Sequence, residues 1–320
     1  VLADISGLTH AVGQFFSRLT AVHWAPLFVG LAFYGLNLLL RSRASFNVLR
    51  AAYPAERFRW REVAGAYLAA YGANSVFPAR PGDVVRLFLL HRSVPHATYP
   101  TLAASFLVEN IFDTAIGVLI LLFAFTQGVF PKPPDFSQLG AFDLSYLAGH
   151  PRLLLFLLTT LALGVLVAFA VLSARVRSFW QRVRQGFTIL RDRRRYLRGV
   201  AALQFAGWLA RFVCFWFLLD AFAIGGSVRN VLLVFGVNAV SSMVPLTPGG
   251  AGVQQALLVN VFASSASAAT VAAYSVGQQI AIASFSFALG LAAIVGIFRL
   301  RSFRQIIRAG RDAQAGGAAP

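Results

Sequence analysis

The sequence predicts an all-α polytopic membrane protein, and three features carry that expectation: its hydropathy, the length of its apolar runs and the placement of its arginines. Apolar residues make up 58% of the 320 and charged residues 12%, with a mean hydropathy of +0.69, too high for a water-soluble globule of this size. Crossing about 30 Å of hydrocarbon takes about 20 residues of helix. Runs of that length stand at Val22 to Leu40, Leu102 to Thr126, Leu153 to Ser173, Ala201 to Ile224 and Val271 to Phe298, so five full spans are expected.

The formal charge is +17, from 28 basic residues of which all but one are arginine. Twenty of them fall in three blocks: Arg41 to Arg61 after the first span, Arg175 to Arg198 between the third and fourth, and Arg299 to Arg311 after the last. The positive-inside rule places all three in the cytoplasm, and the loop from Gln127 to His150, with Lys132 against Asp135 and Asp143, outside. Because these arginines border hydrophobic spans, anionic lipid headgroups are the expected partners and nucleic acid is not. Cys214 stands alone inside a span and reads as a small buried hydrophobe. His10, His23, His91, His96 and His150 fall at span ends or in loops, and no metal, nucleotide or serine-hydrolase motif occurs, so neither a metal nor a cofactor is expected.

Outside the spans, residues 1–21 carry Ile5, Leu8, Val12, Phe15, Phe16 and Leu19 at helical spacing and read as an interfacial amphipathic segment. Residues 22–173 form a first membrane half. Residues 174–198 read as a basic cytoplasmic loop lying on anionic lipid, 199–298 as a second membrane half, and 299–320 as a basic tail.

Topology exposes two unusual regions. If the first span runs inward and the second outward, residues 63–100 begin and end in the cytoplasm; they hold an apolar stretch Val63 to Phe77, a break at Pro78 to Asp83, and a short stretch Val84 to Leu90. Neither arm is about 20 residues, so a re-entrant hairpin fits better than a crossing. The same reasoning makes residues 229–266 a hairpin entering from the opposite face, broken at Pro245 to Gly252. The two breaks align without a gap: Ser75, Pro78, Pro81 and Gly82 fall on Ser242, Pro245, Pro248 and Gly249, with Asn74 and Asn238 just before and Gly250 and Gly252 extending the second. Paired proline- and glycine-interrupted segments in oppositely oriented halves are the sign of an inverted-repeat transporter; two ordinary Pro-Gly turns are the plainer reading.

Buried charge marks the candidate site. Ser105, Glu109, Asp113 and Gly117 recur every four residues and share one helix face. A carboxylate at the bilayer centre costs at least about 2.5–3.5 kcal/mol, so this face is expected to look inward toward a basic partner, and Arg86 is the one expected. Arg80 and Asp83 in the first break read as substrate contacts or as solvated charges. Arg211, midway along its span, is expected to meet a headgroup phosphate or to pair with Asp220. Gln278 and Gln279 in the last span read as contacts between helices or as substrate groups.

At N-S-V-F-P-A-R-P-G-D-V-V-R (Asn74 to Arg86), E-N-I-F-D (Glu109 to Asp113) and P-L-T-P-G-G-A-G (Pro245 to Gly252) the chain resembles the transmembrane region of lysylphosphatidylglycerol synthases and related flippase-like membrane proteins, from about Leu27 to Arg301. The resemblance implies movement of an amphipathic lipid, anionic, aminoacylated or glycosylated, between the leaflets of a bacterial or archaeal plasma membrane. It carries over Asn74, Arg86, Glu109, Asp113 and the Pro-Gly turn as functional positions, and the expected substrate set extends to Arg80, Asp83, Arg211, Thr247, Gln255 and Gln278. Gln255 stands where members commonly carry Glu, so a cation contact or proton coupling does not carry over there. The soluble aminoacyl-transferase domain of the bifunctional members has no counterpart in these residues, and an enzyme is not expected. A secondary transporter of a small polar solute and an intramembrane lipid-modifying enzyme using Glu109 or Asp113 are the competing readings.

Overall fold

A computed structural model describes residues 21–77, 81–127, 183–241, 253–263 and 265–298, and among them every regular element is helical. Four helices are long and apolar enough to cross a membrane: α1 (Trp24–Ala52), α4 (Tyr99–Thr126), α5 (Arg193–Ala221) and α8 (Ala268–Gly296). Between them lie two pairs of shorter helices, α2 (Trp60–Val76) with α3 (Gly82–Ser93), and α6 (Val228–Ser241) with α7 (Val253–Val261). The chain is therefore an all-α polytopic membrane protein. The expected span Leu153 to Ser173, residues 1–20 and the tail 299–320 lie outside the described residues.

Local chemistry sets the helix ends. The expected end of the first span at Leu40 is corrected: no breaker follows until Pro54, so α1 runs on through Arg41 and Arg50 to Ala52. The Arg59 backbone N–H donates to Glu62 Oε2 at 3.1 Å, starting α2, and Pro78 follows its last turn. At the start of α3 the acidic Asp83 complements the helix dipole. Pro100 occupies the first turn of α4. Asp192 caps α5 by accepting from the Arg195 N–H at 3.0 Å, and a π-turn at Leu197–Ala201 follows. Ser267 Oγ accepts the Thr270 N–H at 3.2 Å at the head of α8.

The packing reads the same when the two halves are exchanged. Match α1 with α5, α2 with α6, α3 with α7 and α4 with α8; then α1 on α5 is its own counterpart, α2 on α8 answers to α6 on α4, and each short pair packs arm on arm. Small residues make the closest approaches, as expected where lipid gives helices no hydrophobic reason to associate. A Cβ on Gly72 of α2 would sit 3.0 Å from the Gly290 Cα of α8, and one on Gly30 of α1 would sit 3.1 Å from the Cys214 carbonyl oxygen of α5.

Burial separates centre from rim. In the apolar stretches of α1 and α5, 44% and 39% of residues are buried, against 17% in each of α4 and α8. Leu107, Ile111, Leu119, Leu122 and Phe125 on α4, and Ile280, Phe287, Leu291 and Val295 on α8, point outward. Such a belt is stable in lipid and not in water.

Candidate functional site: a polar cavity above two buried ion pairs

The inward stripe of α4 is buried at Ser105 and Glu109, while Asp113 is half-buried and a Cβ on Gly117 would meet nothing within 4 Å. Arg86, from the second turn of α3, donates through Nη2 to Glu109 Oε1 at 2.6 Å and Oε2 at 2.8 Å, and to Ser45 Oγ at 2.6 Å. Its guanidinium carbon lies 4.6 Å from the Tyr67 ring centroid and 4.0 Å from that of Phe106. Two aromatic faces thus replace part of the hydration that burial removes. Gln204 Nε2 on α5 donates to the Glu109 backbone carbonyl at 3.0 Å, tying this pair to the second half.

Asp113 has a different partner from the one expected. Arg41 of α1 pairs with its Oδ2, and the Trp208 indole N–H donates to Oδ1 at 2.9 Å. Arg41 Nε also donates to the Tyr67 hydroxyl at 2.9 Å, and Tyr67 stands 3.3 Å from the Tyr71 hydroxyl. Sequence reasoning placed Arg41 in a cytoplasmic block. Its side chain, 10% exposed, nevertheless has a carboxylate partner inside the bundle, because α1 continues past Leu40 and turns it inward.

Tyr71 leads into a cavity of about 430 Å³. Both interrupted pairs reach it: Asn74, Ser75, Val76 and Phe77 at the end of α2, Asn238 and Ser241 at the end of α6, and Gln254 at the start of α7. Tyr34 of α1, Arg211 and Phe215 of α5, and Gln278, Gln279 and Ser286 of α8 complete most of the wall. Val76 and Phe77, about half exposed, form an apolar rim. Tyr34 precedes Arg41 by seven residues on α1, about 10 Å of helix, so the ion pairs lie toward the basic ends of the spans and the cavity nearer the other face.

The amides of this wall are joined. Gln254 Nε2 donates to Asn238 Oδ1 at 2.6 Å and Gln279 Nε2 to Gln254 Oε1. Gln278, 2% exposed, keeps its Oε1 without a partner. Asn74 Oδ1 accepts the Gly82 N–H at 2.7 Å, bridging the first break and satisfying the head of α3. Any side chain at Gly82 would collide there, since its Cβ would stand 2.1 Å from the Ala70 carbonyl oxygen.

The remaining expected residues scatter. Asp83 is exposed and Gln255 half-buried; the adjacent Gln254 lines the cavity in its place. Arg211 does not pair with Asp220, which accepts the Gly226 N–H through Oδ1; its guanidinium faces the rings of Trp208, Phe215 and Phe235 at 5.1, 5.8 and 5.5 Å. Pro81 precedes α3 at the break. Arg80, Pro78, Pro245, Thr247, Pro248, Gly249, Gly250 and Gly252 lie outside the described residues. Tyr34, Tyr67, Tyr71, Trp208 and Gln254 were not singled out by sequence, although a tyrosine every fourth residue at 67 and 71 is a polar repeat on an apolar helix. Among the described residues no group of His, Cys, Asp and Glu is placed to hold a metal ion.

Paired short helices between the spans, inward ion pairs and a cavity lined by polar side chains make this a polytopic helical membrane protein with a polar site between its helices. The family model of the lysylphosphatidylglycerol synthase TM region matches residues 6–290, so the chain belongs to that family, as its three motifs suggested. A search of curated proteins finds no match.

Proposed function

We propose that this protein moves an amphipathic lipid between leaflets, its headgroup passing through the cavity while the acyl chains stay in the bilayer. One observation carries this reading: the helices that lead into the two breaks, far apart in sequence, contribute Asn74 and Asn238 to one cavity lined by polar side chains. The barrier to lipid flip is passage of a polar headgroup through hydrocarbon, and such a cavity lowers it. We read α2 with α3, and α6 with α7, as re-entrant hairpins entering from opposite faces, so that backbone freed by the prolines lines a wet site. The half-exposed Val76 and Phe77 at the cavity rim favour a substrate with an apolar part over a small polar solute. In this reading Asn74, Arg211 and Gln278 contact the headgroup, while Arg86–Glu109 and Arg41–Asp113 hold the bundle closed on the basic side. Arg80, Asp83, Thr247 and Gln255 belong to the mouths or turns of the hairpins, and the membrane is the plasma membrane.

The test is reconstitution. Liposomes carrying the protein and an acyl-labelled fluorescent phospholipid should lose more than half of the fluorescence on adding dithionite, without nucleotide, whereas empty liposomes lose about the half in the outer leaflet. Equal losses for phospholipids, glycolipids and polyprenyl phosphates would sink the flippase reading and advance the solute carrier.

A further inference from the structure

We infer that the cavity selects a headgroup of net negative charge that also donates hydrogen bonds, such as a phosphoglycerol or a sugar phosphate, and rejects a cationic aminoacylated one. The inference rests on the lipid reading for the source of that headgroup, and on charge placement for its sign.

Glu109 and Asp113 are both engaged, by Arg86 and by Arg41, and neither lines the cavity. Among the described residues Arg211 is the charged residue on the wall, and there it has no ion pair. Asp113, already paired with Arg41, accepts the Trp208 indole N–H, and Arg211 faces the ring of the same indole without pairing with that carboxylate. The segments that join the cavity-lining helices, 78–80 and 242–252, contain no Asp or Glu. The described wall is thus net positive, in a medium where an unpaired charge is costly.

The wall also has unmet hydrogen-bonding capacity of both kinds. Arg211 Nε is buried without an acceptor, and Gln278 Oε1 is buried without a donor. A phosphate oxygen answers the first, and a hydroxyl on the same headgroup answers the second. A choline headgroup supplies no donor, and a lysyl headgroup brings a second cation to Arg211 with no carboxylate to receive it. The amide chain Asn238–Gln254–Gln279 is neutral and suits hydroxyls.

Binding and transport are measured separately on the detergent-purified full chain. Short-chain phosphatidylglycerol, phosphatidylcholine and lysyl-phosphatidylglycerol are titrated by microscale thermophoresis, each also against wild-type liposomes by dithionite quenching. Phosphatidylglycerol is expected to bind at least about tenfold tighter than the other two, a difference of about 1.4 kcal/mol. R211Q should erase that preference, R211K should keep most of it, and Q278L should weaken phosphatidylglycerol without changing the order of the three. Glycerol phosphate that competes at the same concentration as the lipid would show that a soluble anion suffices, supporting the anion site while removing its lipid source. Selective binding with no transport of any lipid would likewise leave the anion site standing and overturn the flippase. Equal binding of all three lipids, or a lysyl preference in the wild type, overturns the inference. So does unchanged phosphatidylglycerol preference in a folded R211Q.

Discussion

Two neighbouring layers of this bundle hold buried polar groups in opposite ways. In the layer toward the basic ends, Arg86 and Arg41 each meet a carboxylate, with further donors and aromatic faces around them, although Arg86 Nε and Gln204 Oε1 are buried there without a partner. In the cavity about 10 Å away, Arg211 has rings but no carboxylate, and Gln278 keeps a bare carbonyl. Charge paired with a carboxylate fixes helices in place; charge without one, beside a space of about 430 Å³, is a site for something else. The difference separates residues that make the fold from residues that use it, although all of them look alike as isolated polar letters in apolar helices.

The comparison breaks most visibly at Arg86. Removing one member of a buried ion pair strands the other, so Glu109→Leu or Arg86→Ala should cost about 3–5 kcal/mol and leave little monodisperse protein on size exclusion. The double variant R86M/E109L should recover much of the loss, and strictly additive losses would show that the pair is not coupled.

Asp113→Asn should cost less, about 1.5–3 kcal/mol, the range for hydrogen bonds to charged groups. Arg41 would keep Tyr67, and the Asp113 side chain is already 24% exposed. Thermal unfolding in detergent gives the order; a loss larger than that of the Glu109 variant would mean that the second pair, not the first, anchors the halves.

Gly82→Val tests the tie between the layers. With the Ala70 carbonyl and Asn74 Oδ1 at 2.1 and 2.6 Å from the new Cβ, overpacking should cost about 1–3 kcal/mol and slow lipid movement. Gly117→Ala, whose Cβ meets nothing within 4 Å, is the matching control and should gain up to about 1 kcal/mol in helix propensity.

The smallest expected effect on stability is the most informative. Gln278→Leu removes a buried carbonyl that has no partner, so stability should change by less than about 1 kcal/mol while transport falls. Large destabilisation with normal transport would move Gln278 out of the site and into the framework.

By itself the sequence determined the membrane, because an apolar run of about 20 residues has no better solvent than lipid. It determined the four described spans to within several residues at most ends, the place where α2 gives way to α3, and the turn of Glu109 and Asp113 toward basic partners, since an intramembrane carboxylate must turn toward one. It also made Arg86 the partner of Glu109. Tertiary structure decided what depends on rotation and reach. Asp220 follows Arg211 by nine residues, which at about 3.6 residues per turn puts the two on opposite faces about 13 Å apart along the axis; a candidate pair by composition was excluded by geometry. Arg41 looked like a border arginine until α1 continued past Leu40 and aimed it at Asp113. Gln254 and Gln255 are adjacent letters, but side chains about 100° apart around one helix cannot face the same cavity equally, and packing of α7 against α8 gave the wall to Gln254. Periodicity tells which residues share a face; only the neighbouring helices decide what that face meets.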